Sequence, residues 1–173
     1  EVVDSFKVKP SEINVVIMDR DRNAHYINAC QKFGVNLILI KAGDFMPSIL
    51  ACIEPGKHKK GLPAGRQGIH ILMGSGGFEE GVMAVVAAKA LGAVAEGRGW
   101  SGDSRIQKKY SRVWITDELV SGKVEDCLVS ISAITEDNKW FDLPQVKEIK
   151  GGHEVTTLTV DKSGVKIERH LHR

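Results

Sequence analysis

The sequence predicts an α/β fold: a mostly parallel sheet with helices on both faces and a C-terminal antiparallel hairpin extension. Three observations carry this. Short, wholly apolar runs rich in Val and Ile alternate with longer helical stretches through the first half of the chain, the pattern of strands buried on both faces. Each change of pattern falls at a glycine or a charged turn. The C-terminal residues instead show two strand-like runs around Asp161-Lys162-Ser163-Gly164, the pattern of a hairpin.

The elements follow in order. Asn14–Met18 (NVVIM) is a short buried strand. Residues 23–33 follow as a helix, with Ile27, Cys30 and Phe33 near helical spacing and Gly34 as its stop. Residues 35–40 form a second strand. Residues 45–53 form a second helix whose apolar face is Phe45, Met46, Ile49, Leu50 and Ile53. Residues 69–73 form a third strand, and residues 79–91, rich in Ala and Val, a third helix stopped by Gly92. Residues 93–98 suit a fourth strand. Beyond them, Thr116 suits the N-cap of a short helix, residues 127–134 a strand, and residues 154–160 and 165–171 the terminal hairpin.

With 42% apolar residues among 173 the chain can build a real core. A net charge of +2 gives no reason to expect nucleic acid as partner. Cys30, Cys52 and Cys127 show no paired or metal-like spacing, and Cys30 and Cys52 sit among apolar neighbours as buried thiols would. Together with the absence of an apolar run near the roughly 18 residues of a membrane span and of a signal peptide at the start, this points to a cytoplasmic protein. The chain opens at Glu1 without methionine. Residues 1–13 are therefore expected to be a linker or the remainder of a longer chain, and residues 14–173 a single α/β domain. Within it, residues 54–67 (EPGKHKKGLPAGRQ) form a basic insertion where loops of about 2–6 residues are usual. It suits either a lid over an anion or a solvated, flexible loop.

In an open parallel sheet, ligands bind at the carboxyl ends of the strands, and three loops there are rich in phosphate-binding chemistry. The first is Asp19-Arg20-Asp21-Arg22, whose guanidinium groups can clamp phosphate beside a helix N-terminus; a solvated helix start would look the same. The second is Lys41-Ala42-Gly43-Asp44, where Asp44 can accept from sugar hydroxyls or simply cap the next helix. The third is Gly74-Ser75-Gly76-Gly77-Phe78-Glu79-Glu80-Gly81. Its glycines allow close backbone approach, and Glu80 suits a hard metal such as Mg²⁺ or Mn²⁺, though both glutamates could also cap the helix. Glu79 stands where a dinucleotide fingerprint needs glycine, and no nucleotide P-loop triplet is present.

The order strand–DRDRN–helix, strand–KAGDF–helix, strand–GSGGFEEGV–helix, together with the ending KSGVKIERHLH, resembles the C-terminal half of class II fructose-1,6-bisphosphatases, the GlpX-type sugar phosphatases. The resemblance implies a cytoplasmic, two-domain enzyme of gluconeogenesis and carbohydrate metabolism. Such an enzyme uses Mn²⁺ or Mg²⁺ and metal-assisted water attack to remove the 1-phosphate of fructose 1,6-bisphosphate. It implies substrate contacts from Arg20 and Arg22, with Asp21 replacing the proline of an Arg-Pro-Arg element, and from Gly43 and Asp44, with Ala42 replacing the first aspartate of an Asp-Gly-Asp element. It further implies a substrate contact from Gly77 and a metal ligand in Glu80. The family's other metal-binding carboxylates belong to an N-terminal domain. The chain is thus expected to be the substrate-binding half, dependent on that domain or on a homo-oligomer, and inactive alone.

Two alternatives stay open on the residues. The run VVIMDRDRN has the strand-then-Asp-x-Asp form of haloacid-dehalogenase-like phosphatases, with Asp19 as nucleophile and Asp21 as acid/base, although Asn23 stands where Thr or Val is usual. A non-catalytic sugar-phosphate-binding module shares the same loops. His170 and His172 share one face of a terminal strand and could bind a metal, but an exposed strand edge accounts for them; His153 suits a loop. Trp100, Trp114 and Trp140 are too scattered for a stacking platform and are expected to be partly buried.

Overall fold

A computed structural model describes residues 7–53, 68–101, 103–134, 136 and 140–173. Strand β1 (Asn14–Met18) is central in a three-stranded parallel sheet, flanked by β2 (Asn36–Ile40) and β3 (Ile71–Leu72). Because consecutive side chains point to opposite faces, β1 divides its apolar residues between two clusters. Val15 and Ile17 pack with Ile13 and with Cys30 of helix α1 (Ala24–Phe33). Val16 faces the other way, toward Met46, Ile49 and Leu50 of α2 (Phe45–Ala51) and Ala87 and Ala90 of α3 (Phe78–Leu91). Gly34 and Gly92 end α1 and α3 in left-handed conformations (φ 73° and 69°), where a Cβ would be strained.

An all-apolar strand does not mark its own register, since each face is equally hydrophobic. Polar groups at the start of the sheet supply that mark. Asn36 Nδ2 donates to Asn14 Oδ1 (2.6 Å), Asn14 Nδ2 donates to the Gly68 carbonyl (2.7 Å), and the Asn14 N–H donates to His70 Nδ1 (3.0 Å).

The antiparallel extension is a second sheet. Strand β8 (Gly152–Asp161) pairs along one edge with β9 (Gly164–His172), and along the other with β6 (Val129–Ser132) and β7 (Lys147–Ile149). Val129, Leu158, Val160 and Val165 turn inward and join Phe141, Leu143, α2 and α3 in one cluster. The two helices are thus enclosed between the sheets, giving the layer order α1, parallel sheet, α2 with α3, antiparallel sheet. At roughly 1.5–3 kcal/mol for each fully buried aliphatic side chain, this shared core is the main bond between the halves. A small ribbon of β4 (Glu96–Gly97) and β5 (Trp114–Ile115), with α4 (Ser104–Tyr110) and α5 (Thr116–Leu119), completes the described chain. It is tied down by Lys89 of α3, which is 7% exposed, pairs with Asp117 (3.0 Å) and donates to the Val120 carbonyl (2.7 Å).

The structure corrects several expectations. Residues 93–98 do not extend the parallel sheet; Glu96 and Gly97 pair antiparallel with β5, because Gly and charged residues supply no two-faced apolar run. Phe33 is 72% exposed, outside the cluster that Cys30 joins. Thr116 is the first residue of α5, with Ile115 in the cap position; its hydroxyl instead accepts from the Ala95 N–H (2.7 Å). Trp100 is 86% exposed, whereas Trp140 packs against the core and Trp114 carries the Arg112 guanidinium 3.5 Å above its ring. Helix α4 and strand β7 lack a strong apolar period and escape the sequence pattern. The basic segment 54–67 lies outside the described residues.

Candidate functional site

Parallel pairing puts the carboxyl ends of β1, β2 and β3 on one edge, and the loops leaving them are bonded to one another. The chain leaves β1 through Asp19, whose N–H donates to the Ile40 carbonyl at the end of β2 (2.8 Å). Arg20 follows in extended conformation, and Asp21–Asn23 form a single 3-10 turn before α1. From this loop the arginines reach sideways in opposite directions. Arg20 Nη2 donates to the Lys41 carbonyl in the loop after β2 (2.6 Å), and Arg22 Nε donates to the Ser75 carbonyl in the loop after β3 (2.6 Å). Each guanidinium has five N–H donors, and the others make no bond to a described residue. Two exposed cationic forks are therefore fixed at the rim with donors to spare.

In the loop after β2, Gly43 is left-handed (φ 76°), a conformation that favours glycine whatever the available space. Asp44 stands at the cap position of α2, yet its side chain makes no capping bond. The half-buried carboxylate thus has its acceptor capacity available, contrary to what a simple cap would require.

In the loop after β3, Gly77 caps α3 in extended conformation (φ −67°, ψ 156°). Glu80 reaches back one turn, and its Oε2 accepts from the Gly77 N–H (3.2 Å). This is the reciprocal half of a capping box, so the capping role of Glu80 is real; Oε1 makes no hydrogen bond to a described residue. The N–H groups of Gly76 and Phe78 have no acceptor among the described residues, and they lie at the positive end of a 14-residue helix. The Phe78 ring beside them is 81% exposed.

Asn23 was not expected to matter. It is fully buried, donates from Nδ2 to the Met18 carbonyl (2.9 Å) and accepts at Oδ1 from the Ser75 N–H (3.0 Å). Asn23 ends the polar run of residues 19–23, five residues past Met18, and nothing local in that run distinguishes the one side chain that is buried and must find partners.

Across the three loops stand Arg20, Arg22 and Lys41 against Asp19, Asp21, Asp44, Glu79 and Glu80. Such an excess of carboxylates suits an anionic substrate only with a cation between them. Even so, no group of three or more His, Cys, Asp or Glu side chains among the described residues is placed to hold a metal ion. A Mg²⁺ or Mn²⁺ ion needs about six oxygen ligands, and Glu80 with its neighbours does not fit a complete site. Elsewhere, His170 and His172 have ring centroids 6.4 Å apart, and His153 pairs across the strands with His172; all three are exposed. No helix among the described residues is long and apolar enough to cross a membrane.

Comparison with known proteins gives one family: the profile described as bacterial fructose-1,6-bisphosphatase, glpX-encoded, matches residues 1–172. Curated relatives include proteins named D-fructose 1,6-bisphosphatase class 2/sedoheptulose 1,7-bisphosphatase. That of Synechococcus sp. (strain JA-3-3Ab) is 29% identical over 92% of this chain and 47% of its own length. That of Synechococcus sp. (strain JA-2-3B'a(2-13)) is 27% identical over the same shares. That of Trichodesmium erythraeum (strain IMS101) is 34% identical over 50% of this chain and 22% of its own length. The chain spans about half the length of the first two relatives. Among solved structures, a sugar N-methyltransferase from Streptoalloteichus sp. ATCC 53650 overlays at 12% identity over 99% of this chain and 67% of that one, with a TM-score of only 0.29.

Proposed function

Because the chain belongs to the family of bacterial, glpX-encoded fructose-1,6-bisphosphatases, we propose that it forms the substrate-binding part of a sugar-bisphosphate phosphatase. The substrate is fructose 1,6-bisphosphate, from which the 1-phosphate is removed in gluconeogenic carbohydrate metabolism. The observation that carries this is the pair of arginines fixed from one loop onto the carbonyls of both neighbours. Their remaining N–H donors bind phosphate, and the Gly76 and Phe78 N–H groups add donors in the loop that Arg22 grips. Asp44 accepts from sugar hydroxyls, and Gly43 and Gly77 let the backbone come close to the ligand. Asp21 adds a negative charge between the arginines, and Ala42 supplies no carboxylate, so affinity rests on the two forks and the helix end.

A divalent cation, Mn²⁺ or Mg²⁺, would supply polarisation of a phosphoryl oxygen were it held beside these loops. Glu80 is its one ligand from these loops, and the other carboxylates come from outside the described residues, from a further domain or a second copy. Residues 14–173 act as one α/β domain that holds substrate and does not hydrolyse it unaided. A second possibility, a non-catalytic sugar-phosphate-binding module, is favoured by the incomplete ligand set alone. Membership of this family leaves the aspartyl-phosphate chemistry at Asp19 without support.

Titrating the purified chain with fructose 1,6-bisphosphate, with and without Mn²⁺, while following heat and phosphate release, tests the proposal. Saturable binding without release is the expected result. Absence of binding overturns it; release that stops on Glu80→Gln overturns the claim that the chain is inactive alone. Binding that is indifferent to Mn²⁺, and stays without release when the part of a relative that this chain does not match is added, favours the non-catalytic module.

A further inference from the structure

We infer that Asn23 is a positioning residue that locks the glycine loop to the arginine loop, so that their phosphate-binding groups act as one rigid surface. The inference rests on the function proposed above for that surface. Neighbouring residues hold the Ser75 backbone at both of its polar groups: Asn23 Oδ1 accepts from its N–H (3.0 Å), while Arg22 Nε donates to its carbonyl (2.6 Å). Arg22 is exposed and its grip competes with water; the Asn23 side chain is completely buried, so its end of both bonds is shielded while the Ser75 end stays exposed.

Asparagine suits this place because the position needs a donor and an acceptor on one short side chain. Nδ2 donates to the last carbonyl of β1 while Oδ1 receives the loop after β3. Aspartate would lose the donor and bury a charge, and an aliphatic side chain would leave both backbone groups without partners. The amide also lies against Gly74, whose absent side chain would meet Asn23 Nδ2 at 3.5 Å.

The lock has a functional side. With the Ser75 N–H occupied, the loop presents the Gly76 and Phe78 N–H groups to a ligand, and their placement relative to the guanidinium groups is set through Asn23. A shift of about 1 Å in such a surface costs far more than a lost contact suggests.

The test uses the whole chain. Asn23→Leu removes both hydrogen bonds at similar volume. Asn23→Ser keeps the site polar but cannot span Met18 and Ser75, and serves should the leucine variant not fold. Val160→Ala, in the antiparallel sheet, is the control for loss of stability. Two readouts are taken: hydrogen exchange of the Ser75 N–H, and affinity for fructose 1,6-bisphosphate at a temperature where every variant is folded. The Asn23 variants are expected to exchange Ser75 fast and bind about 10-fold or more weakly, with the control unchanged in both. Unchanged Ser75 exchange, or a loss of affinity matched by the control, overturns the inference. Should the unaltered chain not bind the sugar bisphosphate, the proposed function fails, while Ser75 exchange still decides whether the lock exists.

Discussion

At Glu80 one carboxylate oxygen is engaged by the Gly77 N–H, so capping and the proposed metal binding can be separated by substitution. Glu80→Gln keeps an acceptor for the cap, and melting should shift by less than about 0.5 kcal/mol, whereas Glu80→Ala should lose about 1 kcal/mol. Both should abolish any Mn²⁺ enhancement of substrate binding; a glutamine variant that retains it would remove Glu80 from the metal site. The Cys52 thiol donates to the Ser48 carbonyl (3.1 Å), and burial pushes its pKa from 9.0 to about 11. That rise leaves about 100-fold less thiolate at pH 8, so half-buried Cys52 should alkylate about that much more slowly than an ordinary thiol, and rates comparable to a free peptide would contradict the raised pKa. At this scale the sequence spoke through residue type. Arginines, glycines and Glu80 raised the expectation of phosphate chemistry, but the pairing of Asn23 with Ser75 joins residues 52 apart, and no local pattern encodes that.

Among the elements, the β8–β9 hairpin closes on Asp161. Its Oδ1 accepts from the Ser163 hydroxyl and from the Ser163 N–H (2.7 Å). These bonds, the hydroxyl first, with the Lys166 charge as a smaller contribution, hold the Asp161 pKa below its ordinary 3.8. A depressed carboxylate pKa contributes stability that is present above the unfolded value and lost as pH falls through the folded one. Melting of Asp161→Asn should therefore fall short of the parent above about pH 4 and converge with it in stronger acid; a constant gap at all pH values would assign the effect to packing instead. At the far end of the same hairpin, a Cβ on Gly152 would collide with the His172 carbonyl. As both partners are backbone, Gly152→Ala should destabilise by about 1–3 kcal/mol and raise exchange at the end of β9; a neutral result would mean that the terminal strand is free to move. The hairpin was legible because alternation and a four-residue turn are local, and α4 was not, because its residues contribute nothing to the buried core.

Over the whole molecule, one cluster joins β1, α2, α3 and the inner face of the antiparallel sheet. Leu158, fully buried at its centre, should cost about 2–5 kcal/mol when replaced by alanine. The loss should appear as a single transition seen alike by probes in either sheet. Two separated transitions would show that the sheets fold independently. This coupling matters for the site, because the loops after β2 and β3 lead into α2 and α3, whose buried residues share one cluster with the second sheet.

The sequence by itself determined the alternation of buried strands and helices, the glycine stops at Gly34 and Gly92, the three loops that follow the parallel strands and the family to which they point. Each of these is written in residue type and short spacing. Only the tertiary structure decided that the antiparallel strands form a second sheet over α2 and α3, that residues 93–98 leave the parallel sheet, and that Arg20, Arg22 and Asn23 bind the three loops together. Those outcomes depend on which apolar face meets which, and on hydrogen bonds between residues far apart in the chain. Such contacts exist only once the core has brought them within about 3 Å of one another.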